Sequence, residues 1–409
     1  MKRYWISIVL VALIIISMGT FYIQTLTNPL PNFQLMKLEG DEKEASHVIL
    51  LGSYNYSTGQ VVIDENGSTY DSERPYLTKL SPHIIGREQI DKLVSDHRNF
   101  MRGKENIAGF YEDKQVLVYS DIRSTYHEIL QNYSFGLKVW ILDKENNQTK
   151  SFELDVPKSS DYLWVNVQDV QLVDNQLKII TQNNKRNKND SNNRLSLELH
   201  ICSIDLAEEK LVDDRIAGTD NKLGGSQELQ FALVNDTNLI KPNERMVFQL
   251  RTNKIKVTSE NSYESTTVDN SFVSYDLRTG KEEVIPFPLT EPSNKNNVDY
   301  FNTGERLIQT ASSSEGIHIQ KYNLEGRRSE PEIVLSLKDL QADSISSMNV
   351  DTRNLYVLVK KQNAKRMIIV DLGSGKVVYK GSVALKGTTG AEKEHLSKLN
   401  VYNLQVLNR

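Results

Sequence analysis

Hydrophobic positions along the chain fall into short runs that favour β-strands and are separated by polar turns. Six times such a run leads into an Asp or Asn, a short polar and often Gly-containing turn, and a second run. Because an Asp or Asn side chain can close a turn and Gly tolerates positive φ, each unit predicts a hairpin. The turns begin at Asn55, Asp143, Asp205, Asp276, Asn323 and Asp371.

The spacing of these turns indicates one repeated unit. The last two intervals are 47 and 48 residues, and all-β repetition at this period is typical of a β-propeller. The clearest unit has runs at 344–350, 355–360, 366–371 and 376–383, which predict a four-stranded meander. We therefore expect an all-β fold, a β-propeller of six or seven four-stranded blades. Seven remains open because 88 residues separate Asn55 from Asp143.

Insertions account for the longer intervals. Helical spacing of apolar residues predicts a helix over 86–98, whereas the polar stretches 183–193 and 254–270 predict surface loops. The final run, 398–407, alternates like a strand. We expect it to complete the blade begun by 47–63, which would remove an exposed sheet edge and close the ring.

The chain begins with Lys2 and Arg3, followed by an uncharged apolar run over 5–23. A helix of this length nearly matches the hydrocarbon core of a bilayer, so 1–24 is predicted to be a transmembrane anchor. A cleaved signal peptide is the alternative, with Ser17 and Gly19 as the small residues of the cleavage site. The preceding positive charge indicates a cytoplasmic N-terminus and an extracytoplasmic remainder.

Residues 25–46 are predicted to form a stalk and 47–409 the propeller ectodomain. Without Lys2 and Arg3 the chain has 47 basic and 53 acidic residues, a formal charge of −6, which gives no general attraction to nucleic acid. Cys202 is the only cysteine, so no intrachain disulfide can form, and we expect a small buried side chain. Heavy use of Lys, Asn, Ser and Ile without disulfides is typical of a bacterial envelope protein.

The turns at 275–281 and 370–376 resemble the strand-turn-strand units of quinoprotein-like bacterial propeller repeats. The resemblance implies the architecture of 47–409 and nothing about activity. The chain lacks the repeated Trp docking motif of quinoprotein dehydrogenases, since Trp occurs only at positions 5, 140 and 164.

Candidate chemistry is sparse. The seven histidines include no pair at helical spacing around a Glu, so no zinc hydrolase motif is present. Gly373-Ser374-Gly375 is the nearest approach to a nucleophile elbow, but it belongs to a repeated hairpin. Asp64, Asn66 and Ser68 alternate like calcium ligands without the bidentate Glu, which favours a plain turn at Asn66-Gly67.

Two further features have an ordinary and a functional interpretation. His318 could face a central channel, but a packed or solvent-facing histidine is favoured. Five aromatic residues could form a ligand surface, although sheet packing is favoured; they are Phe110, Tyr111, Tyr119, Tyr126 and Tyr133. No residue is therefore singled out as catalytic, cofactor-binding or metal-binding, and no cofactor is expected.

The sequence thus predicts a single-pass membrane-anchored, extracytoplasmic β-propeller that acts as a binding or sensory module in the cell envelope. Its expected partners are the lipid bilayer, through the N-terminal helix, and an envelope or membrane protein. The alternative is an anchored envelope enzyme, a hydrolase, lyase or oxidoreductase, with its site in the propeller channel. A third possibility is a scaffold that holds a partner through the polar stretches 183–193 and 254–270.

Overall fold

The computed structural model describes residues 30–55, 60–73, 87–128, 132–186, 195–218, 227–237, 240–259, 262–287, 297–387 and 392–407, with positions 9, 10, 13 and 17. Those four positions are helical. Within this described part, no helix combines the length and the apolar character that crossing a membrane requires. Most of the predicted anchor, 1–24, lies outside the described residues.

The described strands form six sheets, numbered here in chain order. The first strands are β1 (Phe33–Gly40), β2 (Val48–Tyr54), β3 (Gln60–Ile63) and β4 (Ser68–Tyr70), of which the last three belong to sheet 1. Helix α1 (Arg87–Asp96) follows and confirms the helix predicted over 86–98. Short 3₁₀ turns lie at Glu42–Glu44, Asp71–Glu73, Ile107–Gly109 and Ser159–Asp161.

Sheets 2, 3 and 4 are built from strands that follow one another along the chain. Sheet 2 contains β5 (Phe110–Glu112), β6 (Val116–His127), β7 (Asn132–Asp143) and β8 (Gln148–Asp155). Sheet 3 contains β9 (Tyr162–Val173), β10 (Gln176–Arg186), β11 (Leu195–Asp205) and β12 (Lys210–Ile216). Sheet 4 contains β13 (Gln227–Leu233), β15 (Arg245–Ser259), β16 (Ser262–Asp276) and β17 (Lys281–Ile285), whereas β14 (Asn235–Asp236) belongs to sheet 5.

Sheets 5 and 6 complete the set. Sheet 5 continues with β18 (Asn297–Asn302), β19 (Arg306–Ser312), β20 (Gly316–Asn323), β21 (Arg328–Ser329) and β22 (Ile333–Ser336). Sheet 6 contains β23 (Ser344–Val350), β24 (Asn354–Lys361), β25 (Ala364–Asp371) and β26 (Val377–Leu385), which confirms the predicted four-stranded meander. Helix α2 (Glu392–Lys398) and strand β27 (Leu399–Val406) follow.

Successive sheets pack face to face, which explains why central strands are apolar on both sides. In β24 the five residues 355–359 are all fully buried, as expected where a sheet lies between two others. Shared apolar clusters join sheets 2 and 3, 3 and 4, 4 and 5, 5 and 6, and 6 and 1. Among the described residues, five of the six junctions of a six-sheet ring are thus present, an arrangement typical of a β-propeller.

The first described strand, β1, lies in a sheet of C-terminal strands, and the last described strand, β27, lies in a sheet of N-terminal strands. Strand β27 pairs with β2 and completes sheet 1, which confirms the closure predicted for 398–407. Strand β1 pairs with β26 and adds a fifth strand to sheet 6. The prediction of an unpacked stalk is therefore wrong for 33–40, where Phe33 and Leu35 are buried against the propeller. The charged residues that follow Gly40 concealed this short apolar strand.

The repeated Asx turns are present, but one was assigned to the wrong position. Five of them join the third and fourth strands of sheets 2 to 6. In sheet 1 the equivalent turn begins at Asp64, whose Oδ1 accepts hydrogen bonds from the Asn66 and Gly67 N–H groups at 2.7 and 2.9 Å. Asn55 instead follows β2, at the opposite end of the sheet.

Both predicted polar loops contain strand. The interpretation of 254–270 as a loop is wrong, because β15 and β16 pair along almost their whole length up to Ser259 and Ser262. A two-stranded ribbon of mostly exposed residues satisfies its backbone by pairing, so the polarity of this stretch did not exclude strand. Of 183–193, the first four residues extend β10 and Asn183 is fully buried; 187–193 lie outside the described residues.

Candidate functional site

One end of the propeller carries two series of Asx turns. In an antiparallel meander the first and third connections lie at the same end of the sheet. The turns after the first strands therefore lie at the same end of the propeller as the turns after the third strands. Asp113, Asn302 and Asp351 close first-connection turns through their side chains. We call this end the Asx face.

A single chain segment on the Asx face contacts four sheets at the axis of the propeller. This hub segment, residues 235–237 and 240–243, begins as β14, which pairs in parallel with β18 of sheet 5. The carbonyl of Ile240 accepts a hydrogen bond from the Glu112 N–H of sheet 2 at 2.6 Å. The segment then contacts Gln171 of sheet 3 and runs into β15 of sheet 4. A segment that reaches all of these sheets lies over the hub.

The amide of Gln171 fastens the hub segment to sheet 3. Its Oε1 accepts from the Asn243 N–H at 2.8 Å, and its Nε2 donates to Asp169 Oδ1 at 3.1 Å and to the Lys241 carbonyl at 3.5 Å. The side chain of Asn243 in turn donates to Asp236 Oδ2 at 2.8 Å. Asp169 and Gln171 are both buried, so the hub contains a closed polar network that includes two carboxyl groups.

The surroundings of Asp169 favour its protonated form. Burial and the negative charge of Asp236 raise the pKa of Asp169 from 3.8 to about 7, against the opposing effect of hydrogen bonds from Gln171 and the Val170 N–H. Two carboxyl groups that share a desolvated site cannot both ionise readily. Asp169 therefore holds its proton in weakly acidic solution.

Beside the hub segment is an open cleft of about 360 Å³. This hub cleft is lined by residues of the hub segment, of sheet 6 and of the two chain segments next to β2 and β27. Its charged, aromatic and apolar lining includes Glu44, His47, Lys241, Asp351, Arg353, Val406 and Leu407. Four separate parts of the chain thus converge on it, and three of them are anchored in paired strands or Asx turns.

A directed hydrogen-bond chain lies in the wall of the hub cleft. The hydroxyl of Tyr356, which is fully buried, donates to Asp351 Oδ2 at 2.6 Å and lies 2.7 Å from His47 Nε2. Since a hydroxyl has one hydrogen, Tyr356 accepts from His47, whose Nε2 therefore carries a hydrogen. Burial and the adjacent Asp351 raise the pKa of Tyr356, so the phenol stays neutral.

The acidic groups of the hub cleft are engaged within the chain. Asp351 Oδ1 accepts from the N–H groups of Arg353 and Asn354 at 2.7 and 2.6 Å. Glu44 accepts from Asn354 Nδ2 at 3.2 Å and lies 3.8 Å from the Arg353 guanidinium. The lining therefore offers groups held in place with both signs of charge, next to an apolar wall. This arrangement is suited to recognising a small ligand with polar and apolar parts.

The motifs weighed as chemistry have structural roles in the described chain. Ser374 donates through both its N–H and its hydroxyl to Asp371, each at 2.7 Å, so Gly373-Ser374-Gly375 is an Asx turn. Asp64 likewise closes the turn through Asn66 and Gly67. Cys202 is buried as predicted, and burial together with Asp214 raises the pKa of its thiol.

His318 and three of the five aromatic residues also follow the ordinary interpretation, whereas Tyr126 and Tyr133 do not. His318 is half exposed and pairs with Glu332 at 3.1 Å. Phe110, Tyr111 and Tyr119 are buried in sheet 2. Tyr126 and Tyr133 instead lie exposed near the tip of the β6–β7 hairpin, with ring centroids 5.0 Å apart.

Sequence reasoning missed the hub residues. A visible signal existed for Asp169 and Gln171, since they are polar residues in a stretch, 167–173, whose other residues apart from Gln168 are all apolar. Nothing in the sequence relates them to the hub segment some 70 residues later. His47, Asp351 and Tyr356 lie in three ordinary-looking contexts, and only ring closure brings His47 beside sheet 6.

Comparisons with known proteins identify no family for this chain. No family model matches the chain, and no curated protein matches it. Among solved structures, a prolyl endopeptidase is similar with 13% identity and a TM-score of 0.32, over 68% of this chain and 35% of that one. This chain therefore spans about a third of the length of that enzyme.

Two further solved structures are similar at a comparable level. The Dos1 propeller has 9% identity and a TM-score of 0.27, over 67% of this chain and 60% of that one. TolB from Acinetobacter baumannii has 10% identity and a TM-score of 0.20, over 71% of this chain and 82% of that one. The assignment of the fold rests on the sheet topology and closure described above, and the chain is a β-propeller protein.

Proposed function

We propose that this chain is a six-bladed, single-pass membrane-anchored propeller that binds a ligand or partner outside the cytoplasm, in a bacterial envelope, without catalysing a reaction. The hub cleft is the proposed binding site. The observation that carries the proposal is that separate parts of the chain form one cleft whose carboxylates, Glu44 and Asp351, are already oriented by hydrogen bonds within the chain. Such preorganisation lowers the entropy that binding costs.

The anchor is proposed from the sequence alone, from the uncharged run 5–23 behind Lys2 and Arg3. It would hold the propeller near membrane partners and raise their effective concentration. Expression of the full chain and of residues 30–409, followed by membrane fractionation, tests it. The full chain should sediment with membranes and resist carbonate extraction, whereas recovery of a chain cleaved near Gly19 in the soluble fraction would favour the signal peptide.

The binding proposal is tested by filling the cleft. A photoreactive residue at Thr352, which lines the hub cleft, should crosslink a defined envelope molecule in living cells. Arg353→Trp should abolish that product, because the larger ring occupies the cleft. The matched control is Val284→Trp, since Val284 is 69% exposed on β17, away from the cleft. An unchanged product in the Arg353 variant would contradict the proposal.

An anchored envelope enzyme is the second candidate, and one observation favours it. Burial and the negative charge of Asp236 raise the pKa of Asp169 at the hub, and perturbed carboxyl groups are common in catalytic sites. Against it, Asp169 is buried beneath the hub segment and does not line the hub cleft. Turnover of an envelope polymer or peptide by the purified protein, lost in Asp169→Asn with binding retained, would establish the enzyme instead.

A further inference from the structure

A second cleft, of about 340 Å³, lies between sheets 3 and 4 on the Asx face. Strands β10, β11 and β12 supply one wall, and the turn between β16 and β17 supplies the other. We call it the side cleft; Lys178, Asp213, Arg215, Tyr275, Arg278 and Gly280 are among its lining residues. It is separate from the hub cleft, with which it shares no lining residue.

The charge of the side cleft is opposite to that of the whole protein. Its lining includes Lys178, Arg215 and Arg278 against the single carboxylate of Asp213, whereas the full chain has a net charge of −4. A concave surface with clustered positive charge concentrates anions even when the protein as a whole repels them.

Unlike the two arginines, Lys178 has no carboxylate acceptor among its described hydrogen bonds. Its Nζ donates to Ser203 Oγ at 2.8 Å and to Gln176 Oε1 at 2.9 Å, both of which are neutral acceptors. Burial lowers the pKa of Lys178, and the nearby positive charge of Arg215 lowers it further, against the opposing effects of Asp213 and Asp174. An ammonium has three donors, so its described bonds use two of them.

The two arginines are held in position by carboxylates at one edge. Arg215 Nε donates to Asp213 Oδ2 at 2.7 Å, and its guanidinium also bonds to Tyr275 and lies against Gly280. A Cβ at Gly280 would collide with that guanidinium, so the glycine makes room for it. Arg278 contacts Glu244 at 2.7 Å and Asp174 at 3.5 Å. A guanidinium has five N–H donors, so these contacts orient each arginine and leave donor capacity.

We propose that the side cleft is a binding site for an oxyanion, a phosphate or carboxylate group, held between the Lys178 ammonium and the Arg215 guanidinium. The group can belong to a small soluble ligand or to a lipid headgroup, since both present the same oxygens. A charge-assisted bond to each cation is the interaction that a phosphate or carboxylate makes best. The proposal is independent of the function proposed for the hub cleft.

The test uses inorganic phosphate as the probe and the full chain in detergent. Phosphate is titrated by calorimetry at pH 7 and constant ionic strength, with chloride as the replaced ion. The wild-type protein should bind phosphate saturably at one site, and Lys178→Gln should weaken the affinity at least about 10-fold. Arg215→Gln, whose side chain is half exposed, is a second variant if Lys178→Gln does not fold, and the same direction is expected.

Lys281→Gln is the matched control, because Lys281 is an exposed lysine on β17 that pairs with Glu283 and does not line the side cleft. Its phosphate affinity should equal that of the wild type. A second arm measures binding to phosphatidylglycerol vesicles against phosphatidylcholine vesicles: Lys178-dependent binding to the former indicates a headgroup, and binding to free phosphate alone indicates a soluble ligand. Absence of saturable anion binding in both arms, or an equal loss in Lys281→Gln, overturns the proposal.

Discussion

Single residues decide the geometry of the repeated turns. In five of them the residue four positions after the Asx has a left-handed backbone, and these residues are Asn147, Glu209, Gly280, Arg327 and Gly375. The Asx residue of each of these turns could be recognised in the sequence. The left-handed residue could not be recognised at Asn147, Glu209 and Arg327, because these residues are not Gly. The turn at Asn66-Gly67 was predicted, but not as a member of the repeat, because Asp64 pairs with Gly67, two residues sooner than the Asx residues of other sheets pair, such as Asp276 with Lys281.

Gly375→Ala should lower the free energy of unfolding by about 1 kcal/mol, because φ at Gly375 is +70° and an L residue is disfavoured there. Gly373→Ala in the same turn is the control. A Cβ at Gly373 would meet only Asp371 Oδ1 at an ordinary 3.4 Å, so that variant should be nearly neutral. Urea unfolding of both variants checks the difference, and equal losses would show that the backbone angle is not the cause.

Removal of one hydroxyl from the wall of the hub cleft should also be measurable. Tyr356→Phe deletes the donor to Asp351 and the acceptor of His47 and should cost about 1–3 kcal/mol of unfolding free energy, since buried partners are left unsatisfied. Tyr402→Phe is the control, because Tyr402 is half exposed. A thermal melt showing no larger loss for Tyr356→Phe would mean that the chain of bonds adds nothing to stability.

Strands with strong apolar alternation could be predicted from the sequence. Strands that are held mainly by pairing with a neighbour were misinterpreted as loops. Sheet 6 and the closing strand follow from alternation in 344–383 and 398–407. The long ribbon of β15 and β16 does not, because most residues of its outer part are polar. The hub segment was invisible for a different reason: a short stretch such as Asn235–Asp236 becomes a strand only when β18 is beside it.

The closing strand β27 gives a prediction about an element. Leu404 is buried in the cluster that joins sheets 6 and 1, so Leu404→Ala should lower the unfolding free energy by about 2–5 kcal/mol. Tyr402→Ala, on the exposed side of the same strand, should cost much less. Because the ring depends on this junction, the loss should move the whole unfolding transition; a small separate transition that leaves the main one in place would contradict this.

At the scale of the whole molecule, the hub segment couples the stability of the sheets that it contacts. Asp169, which accepts a hydrogen bond from Gln171, should make the stability of the fold sensitive to pH. Its pKa is raised in the folded state from 3.8 to about 7. The contribution of the neutral carboxyl is fully present below about pH 4 and is lost as pH rises through about 7. The free energy of unfolding should therefore fall between these values, apart from effects of other groups.

Asp169→Asn, which keeps the shape and removes the titration, isolates that contribution. The difference in unfolding free energy between the wild type and Asp169→Asn should change in favour of the variant as pH rises from 4 to 8, and should become constant above that range. Denaturant unfolding across the pH series measures it. A difference that does not vary with pH would show that Asp169 ionises normally in the hub.

The pairing of β27 with β2 has a consequence for biosynthesis. A ribosome makes residues 399–406 after the other described strands, so until then β2 presents an unpaired edge of backbone N–H and C=O groups, which is a template for aggregation. A nascent or prematurely terminated chain cannot close the circle and remains open to proteases and chaperones. Synthesis of β27 is thereby a condition for the complete fold, and a chain that lacks it retains an unpaired edge in its first sheet.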